Sequence, residues 1–196
     1  MKKALFLVLA AALAACGEVA TEGGAPAPAG TVLPAETEDL LLRLKAVFQE
    51  NREVDLLETV LLFSLQADPE AETGKVGDYL EYKVQEVRKR IPEGASLRDK
   101  IAAINLELFR SKTPIAVAPL ELDRIDADTF YLDRVVARRA GDVFGTGILY
   151  LLLCQKFDVT ARLAHIRSHY FVRVTGPKGE TMNLDLLRGG EAENEE

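Results

Sequence analysis

Arg138-Arg139-Ala140-Gly141, Leu149-Tyr150-Leu151, His169-Tyr170-Phe171-Val172-Arg173 and Asp185-Leu186-Leu187-Arg188-Gly189-Gly190 follow one another along residues 138–190, and this stretch decides the fold. Within it, residues 143–157 carry Ile148, Leu149, Tyr150, Leu151, Leu152 and Leu153 in unbroken succession. A helix that is apolar around most of its circumference belongs at the centre of a globular domain. Three strand-like runs come next, at 159–166, 169–174 and 181–187. Gly176-Pro177-Lys178-Gly179 supplies a hairpin turn between the last two.

Upstream the pattern is helical. Leu40, Leu41, Leu44, Val47 and Phe48 recur at helical spacing. Asn51 is a candidate cap for a second helix with Val54, Leu57, Val60, Leu61 and Leu65 inward, ended by Asp68-Pro69. A third is expected over 76–91, with Tyr79, Leu80, Val84 and Val87 on one side. Pro92-Glu93-Gly94 turns the chain, and Ser96-Leu97-Arg98-Asp99 reads as a capping box opening a fourth helix through Phe109. Residues 113–128 read as irregular, and 129–139 as a fifth helix with Leu132, Val135 and Val136 inward, broken by Gly141. Helices followed by antiparallel strands predict an α+β fold, a helical bundle packed on one buried helix and a small antiparallel sheet.

The two ends of the chain differ from this middle. Lys2 and Lys3 precede an apolar run over 4–13, and Leu13-Ala14-Ala15-Cys16 follows. The pattern resembles the bacterial lipoprotein export signal. It implies a signal peptide over 1–15 and acylation of the Cys16 thiol, which then becomes the N-terminus. Two or three acyl chains hold a protein stably on a membrane. Gly17, rather than an aspartate, implies the outer membrane, facing the periplasm, in a host with two membranes. Residues 16–35, with Gly23-Gly24-Ala25-Pro26-Ala27-Pro28-Ala29-Gly30, form the expected tether, 36–190 the folded domain, and 191–196 a solvated acidic tail.

Net charge is −7 at pH 7, and removing Lys2 and Lys3 makes it more negative. That argues against nucleic acid and against an anionic membrane surface as partners. Tryptophan is absent, so no indole platform for sugar stacking exists. With Cys16 acylated, Cys154 has no partner for an internal disulfide and reads as a small buried hydrophobe.

The ordered residues of 138–190, together with Val54-Asp55-Leu56-Leu57-Glu58, Ile101-Ala102-Ala103-Ile104-Asn105 and Phe109, resemble the transglutaminase-like family, in its SirB-type bacterial branch. The resemblance spans most of the folded domain. It implies a nucleophilic cysteine at the start of the buried helix, a histidine heading a strand, and an aspartate on the next strand that orients the imidazole. Here His169 and Asp185 take the last two places and Val143 takes the first. Valine cannot ionise or hold a covalent intermediate. The branch usually has proline at that position, so it commonly lacks the cysteine as well. Its P-G-H is Arg167-Ser168-His169 here, and its D-P-F is Asp185-Leu186-Leu187.

These departures imply a pseudoenzyme: a non-catalytic binding or regulatory module for an envelope protein or peptide, held to the membrane through Cys16. His169 and Asp185 then serve as a mutually satisfying polar pair or as a retained binding site. The alternative is a hydrolase or acyl-transfer enzyme using His169 and Asp185 with a nucleophile other than cysteine, Thr146 and Ser168 being the nearest hydroxyls. A third possibility is a structural lipoprotein whose helical half makes the contacts. His165 and His169 have metal-ligand spacing only on a helix, and strand composition opposes that, so no metal or cofactor is expected. Arg138-Arg139 reads as a solvated helix end or, alternatively, an anion grip.

Overall fold

The computed structural model describes residues 55–119, 126–166 and 169–193. The chain divides into two units between Ala35 and Glu36, and every described residue lies in the second. Cys16, the tether, the helix expected around Leu40–Phe48, Asn51 and Val54 fall outside the described residues.

Helix α1 (Leu56–Ala67) is capped by Asp55, whose Oδ1 accepts the Glu58 N–H at 3.0 Å. It buries Leu56, Thr59, Val60, Leu62 and Ser64, while Leu57 and Leu61 are only partly covered. The expected face was rotated because LLETVLLFSLQA is apolar at too many positions for periodicity to select one side. Helix α2 (Thr73–Arg88) starts before Val76 and stops short of Ile91. Helix α3 (Leu97–Phe109) carries the expected capping box: Ser96 Oγ accepts the Asp99 N–H, and Asp99 Oδ2 accepts the Ser96 N–H at 3.0 Å. Those reciprocal bonds satisfy two amides that a helix start otherwise leaves open.

Two expectations between α3 and the central helix are corrected. Residues 116–118, expected irregular, form β1 (Ala116–Ala118), paired in parallel with β2 (Ala140–Asp142). A three-residue strand leaves no periodic signal, since its partner defines it. The expected single helix over 129–139 is two, α4 (Ala127–Phe130) and α5 (Leu132–Arg138), separated by extended Tyr131. Leu132, Val135 and Val136 are buried as expected. Arg139, left-handed at φ 53°, ends α5, and Gly141 lies in β2.

Helix α6 (Val143–Lys156) is the buried centre. Leu149, Leu152, Leu153 and Cys154 are at most 2 % exposed. Each buried leucine contributes about 1.5–3 kcal/mol. Strands β3 (Thr160–Ile166), β4 (His169–Thr175), β5 (Thr181–Asp185) and β6 (Glu191–Glu193) form an antiparallel sheet in that order. Strand β6 corrects the expected solvated tail: residues 191–193 pair with 183–185 at the sheet edge. Alternation hid this, because an edge strand of charged residues reads as tail by composition alone.

The paired glycines before β6 have a conformational role. Gly190 has φ 77°, and a Cβ there would collide with the Asn105 amide. Asn105 Nδ2 donates to the Gly190 carbonyl at 2.7 Å, and Asn105 Oδ1 accepts from Tyr150 Oη at 2.7 Å. Asn105 thus ties α3, the central helix and the C-terminal turn together.

Candidate functional site

Strand alternation decides which side chains face the central helix. Leu163, Val172 and Leu184 are in register across β3, β4 and β5, and all pack in or against the core that contains α6. Leu163 lies directly against Gly147 of the helix. The neighbouring positions project from the opposite face. These include His169, opposite Ile166, and Phe171, opposite Ala164. Arg173 Nε donates to Asn183 Oδ1 at 2.7 Å on that same face. His169 stacks on Phe171, with centroids 6.3 Å apart, and the Arg173 guanidinium lies 5.8 Å from the Phe171 centroid.

His169 and Asp185 therefore share a sheet face, on adjacent strands, while Val143 belongs to the core on the helix side. Asp185 Oδ1 accepts the Leu187 N–H at 2.9 Å, and Oδ2 stands 3.6 Å from Arg188 Nε. The carboxylate thus caps its own 3₁₀ turn, Leu186–Arg188. Among the described residues, no hydrogen bond or ion pair joins it to His169. Ile166, paired with His169 across β3 and β4, is 62 % exposed, and Leu187, in the turn that follows β5, is 40 % exposed.

The N-terminus of α6 is closed. Val143 is 2 % exposed. Asp142 Oδ1 accepts the Phe144 and Gly145 N–H groups at 2.8 and 2.7 Å, and Thr129 Oγ1 donates to Oδ2 at 3.4 Å. Burial pushes the Asp142 carboxyl above its ordinary range, against the lowering pull of those bonds. Helix α4 lies so close that a Cβ at Gly145 would strike the Thr129 carbonyl, and Phe130 stacks on Phe144 at 5.0 Å. Two of the four amides that a helix start leaves open, those of Phe144 and Gly145, are thus satisfied from within the chain. Asp142 was missed in the sequence, although an aspartate directly before an apolar run is a standard cap signal.

The remaining candidates separate as well. Thr146 is fully buried, its Oγ1 without a hydrogen-bond partner. Ser168 lies outside the described residues. Cys154 is buried, and burial pushes its thiol far up, away from reactivity. His165 stacks on Tyr170 on the helix-side face, so it and His169 point to opposite sides of the sheet. Among the described residues, no group of three His, Cys, Asp or Glu is placed to hold a metal. Arg138 pairs with Asp128, whereas no side-chain hydrogen bond or ion pair engages Arg139 among the described residues.

One buried charge escaped the sequence entirely. Lys83 is 0 % exposed and its Nζ approaches Glu107 Oε1, the Glu107 and Thr113 carbonyls, Thr113 Oγ1 and Ser111 Oγ at 2.9–3.2 Å. Position 83 falls on the inward stripe of Val76, Leu80, Val84 and Val87, and that placement was the available signal.

A buried helix whose N-terminus meets a strand pair, backed by an antiparallel sheet and preceded by helices, defines an α+β domain of transglutaminase-like layout. The family model described as the transglutaminase-like superfamily matches residues 74–196, and the chain belongs to that superfamily. No curated protein and no solved structure matches the chain.

Proposed function

We propose that this protein is a SirB-type, lipid-anchored envelope protein whose transglutaminase-like domain binds an envelope protein or peptide without turning it over. The sealed N-terminus of α6 carries this reading. Val143 offers no nucleophile there, and the Asp142 carboxylate sits on two of the amides, those of Phe144 and Gly145, that would stabilise one. The Asp185 carboxylate is engaged by its own turn, with its contacts to Leu187 and Arg188 rather than to the imidazole.

The binding surface in this proposal is the hairpin end around His169, with apolar area exposed at Ile166 opposite the imidazole and at Leu187 in the turn after β5. Anchoring rests on the Leu13-Ala14-Ala15-Cys16 signal, with acylation at Cys16. A photo-crosslinker placed at Ile166 in cells is expected to capture an envelope protein or peptide, with capture reduced by Leu187→Asp. Equal capture from Lys178, on the exposed hairpin turn, would overturn the assignment of this surface.

A further inference from the structure

A second feature lies away from the hairpin, between α2 and α5. A cavity of about 420 Å³ is lined by Tyr79 and Tyr82 from α2, by Thr113, and by Asp133, Val136 and Arg139 on the facing side. That volume falls in the range of small-ligand sites. Three observations set it apart from a packing defect. Arg139 adopts φ 53°, a left-handed conformation that glycine fills without strain, yet a guanidinium stands there. Arg139 is exposed, and among the described residues no side-chain hydrogen bond or ion pair engages that guanidinium, which leaves it open to a ligand. Tyr79 Oη and Asp133 Oδ1 are both buried without a hydrogen-bond partner, and Asp133 as a residue is only 9 % exposed. Buried polar atoms are ordinarily satisfied, so two orphans on residues from opposite sides of one cavity call for a partner from outside the chain.

The chemistry of the lining is complementary to a zwitterion. Arg139 and the Tyr79 phenol are donors. Burial raises the Tyr79 pKa, so the phenol keeps its proton through neutral and mildly alkaline pH. Asp133 Oδ1 is an acceptor, its other oxygen lying 3.3 Å from Arg134 Nε. Glu72 and Lys75 at the rim are paired with each other at 2.6 Å and add no net charge. The Lys83 ammonium lies 5.4 and 5.8 Å from the Tyr79 and Tyr82 centroids, fixing the aromatic wall from beneath. We propose that this cavity binds a free amino acid or the end of a short peptide. Its carboxylate sits on Arg139 and Tyr79, and its ammonium on Asp133. This site is separate from the hairpin surface and does not rest on the non-catalytic role proposed above.

The probe is the dipeptide Ala-Ala, titrated calorimetrically into the full purified protein beside its C-terminal amide and its N-acetyl form. Ala-Ala is expected to bind in the range of about 1 mM or tighter. The amide and the N-acetyl form should each bind at least about tenfold more weakly, the scale of one lost charge-assisted bond. Arg139→Gly should also lose about tenfold. That substitution suits the left-handed backbone, so a melting temperature at or above the wild-type value separates lost binding from lost folding. Tyr79→Phe, which keeps the ring, should weaken Ala-Ala but leave the C-terminal amide unchanged. No binding of Ala-Ala to the folded wild-type protein at about 10 mM overturns the proposal. Equal affinities for Ala-Ala and its amide, or unchanged binding in folded Arg139→Gly, overturn it too.

Discussion

Replacing Lys83 with methionine removes the most heavily bonded charge among the described residues while keeping the length of the side chain. The ammonium has three protons and five acceptors within 3.2 Å, and Glu107 beneath it is 1 % exposed. Breaking a buried pair by deleting one partner costs about 3–5 kcal/mol, because the other charge stays buried. Arg90 Nη2 lies 3.2 Å from Glu107 Oε2 and continues to neutralise it, which pulls the figure toward the lower end. The Glu107 and Thr113 carbonyls each lose a donor, worth about 1 kcal/mol apiece, which pulls it back up. The expected loss is therefore about 3–5 kcal/mol, or roughly 10 °C in Tm. Urea unfolding followed by circular dichroism measures it. In Lys83→Met/Glu107→Leu no carboxylate is stranded, so the double variant should be more stable than the sum of the singles by about 1–3 kcal/mol. A loss below about 1 kcal/mol in Lys83→Met, or strict additivity in the double variant, would refute the reasoning.

The other predictions concern single contacts. Gly190→Ala forces a Cβ into the Asn105 amide at φ 77° and should cost about 1–3 kcal/mol in the same urea assay, with the Tyr150–Asn105 bond disturbed. Asp142→Ala uncaps α6 and should cost about 1–2 kcal/mol, read as a lower urea midpoint with an unchanged slope. Burial holds the Cys154 and Tyr150 protons in the folded state above their ordinary values of 9.0 and 10.0. The unfolded chain therefore releases those protons first, and stability should fall as pH rises from about 9 upward. Cys154→Ala should flatten that decline between about pH 8 and pH 10; an unchanged slope would count against it.

Much of the architecture was legible because the decisive elements obey local rules. The all-round apolar run through Leu149–Leu153 had to be central, and Ser96 with Asp99 announced the start of α3. The hairpin at 176–179 followed from its glycines and proline. What escaped was set by partners distant in sequence. β1 exists only because residues 140–142 pair with it, and β6 only because β5 offers an edge. Lys83 is inward because Glu107 and Thr113 meet it from another element. The candidate site divided along the same line. His169 and Asp185 fell on the strands where they were expected, but strand parity sets both on the sheet face opposite the one packed on the core. A shift of one residue reverses the facing of a strand, and no sequence pattern near His169 fixed it. The cavity beside Arg139 was equally hidden, because it forms only where α2 meets α5, and the Arg138-Arg139 pair is exposed in the fold as its sequence suggests.

The proposed binding role without covalent chemistry is tested most directly by turnover. Purified protein would be assayed for amine incorporation into glutamine peptides and for peptide hydrolysis, beside His169→Ala. The account predicts no turnover above buffer in either protein. Turnover by the wild-type chain that disappears in a folded His169→Ala variant would contradict it.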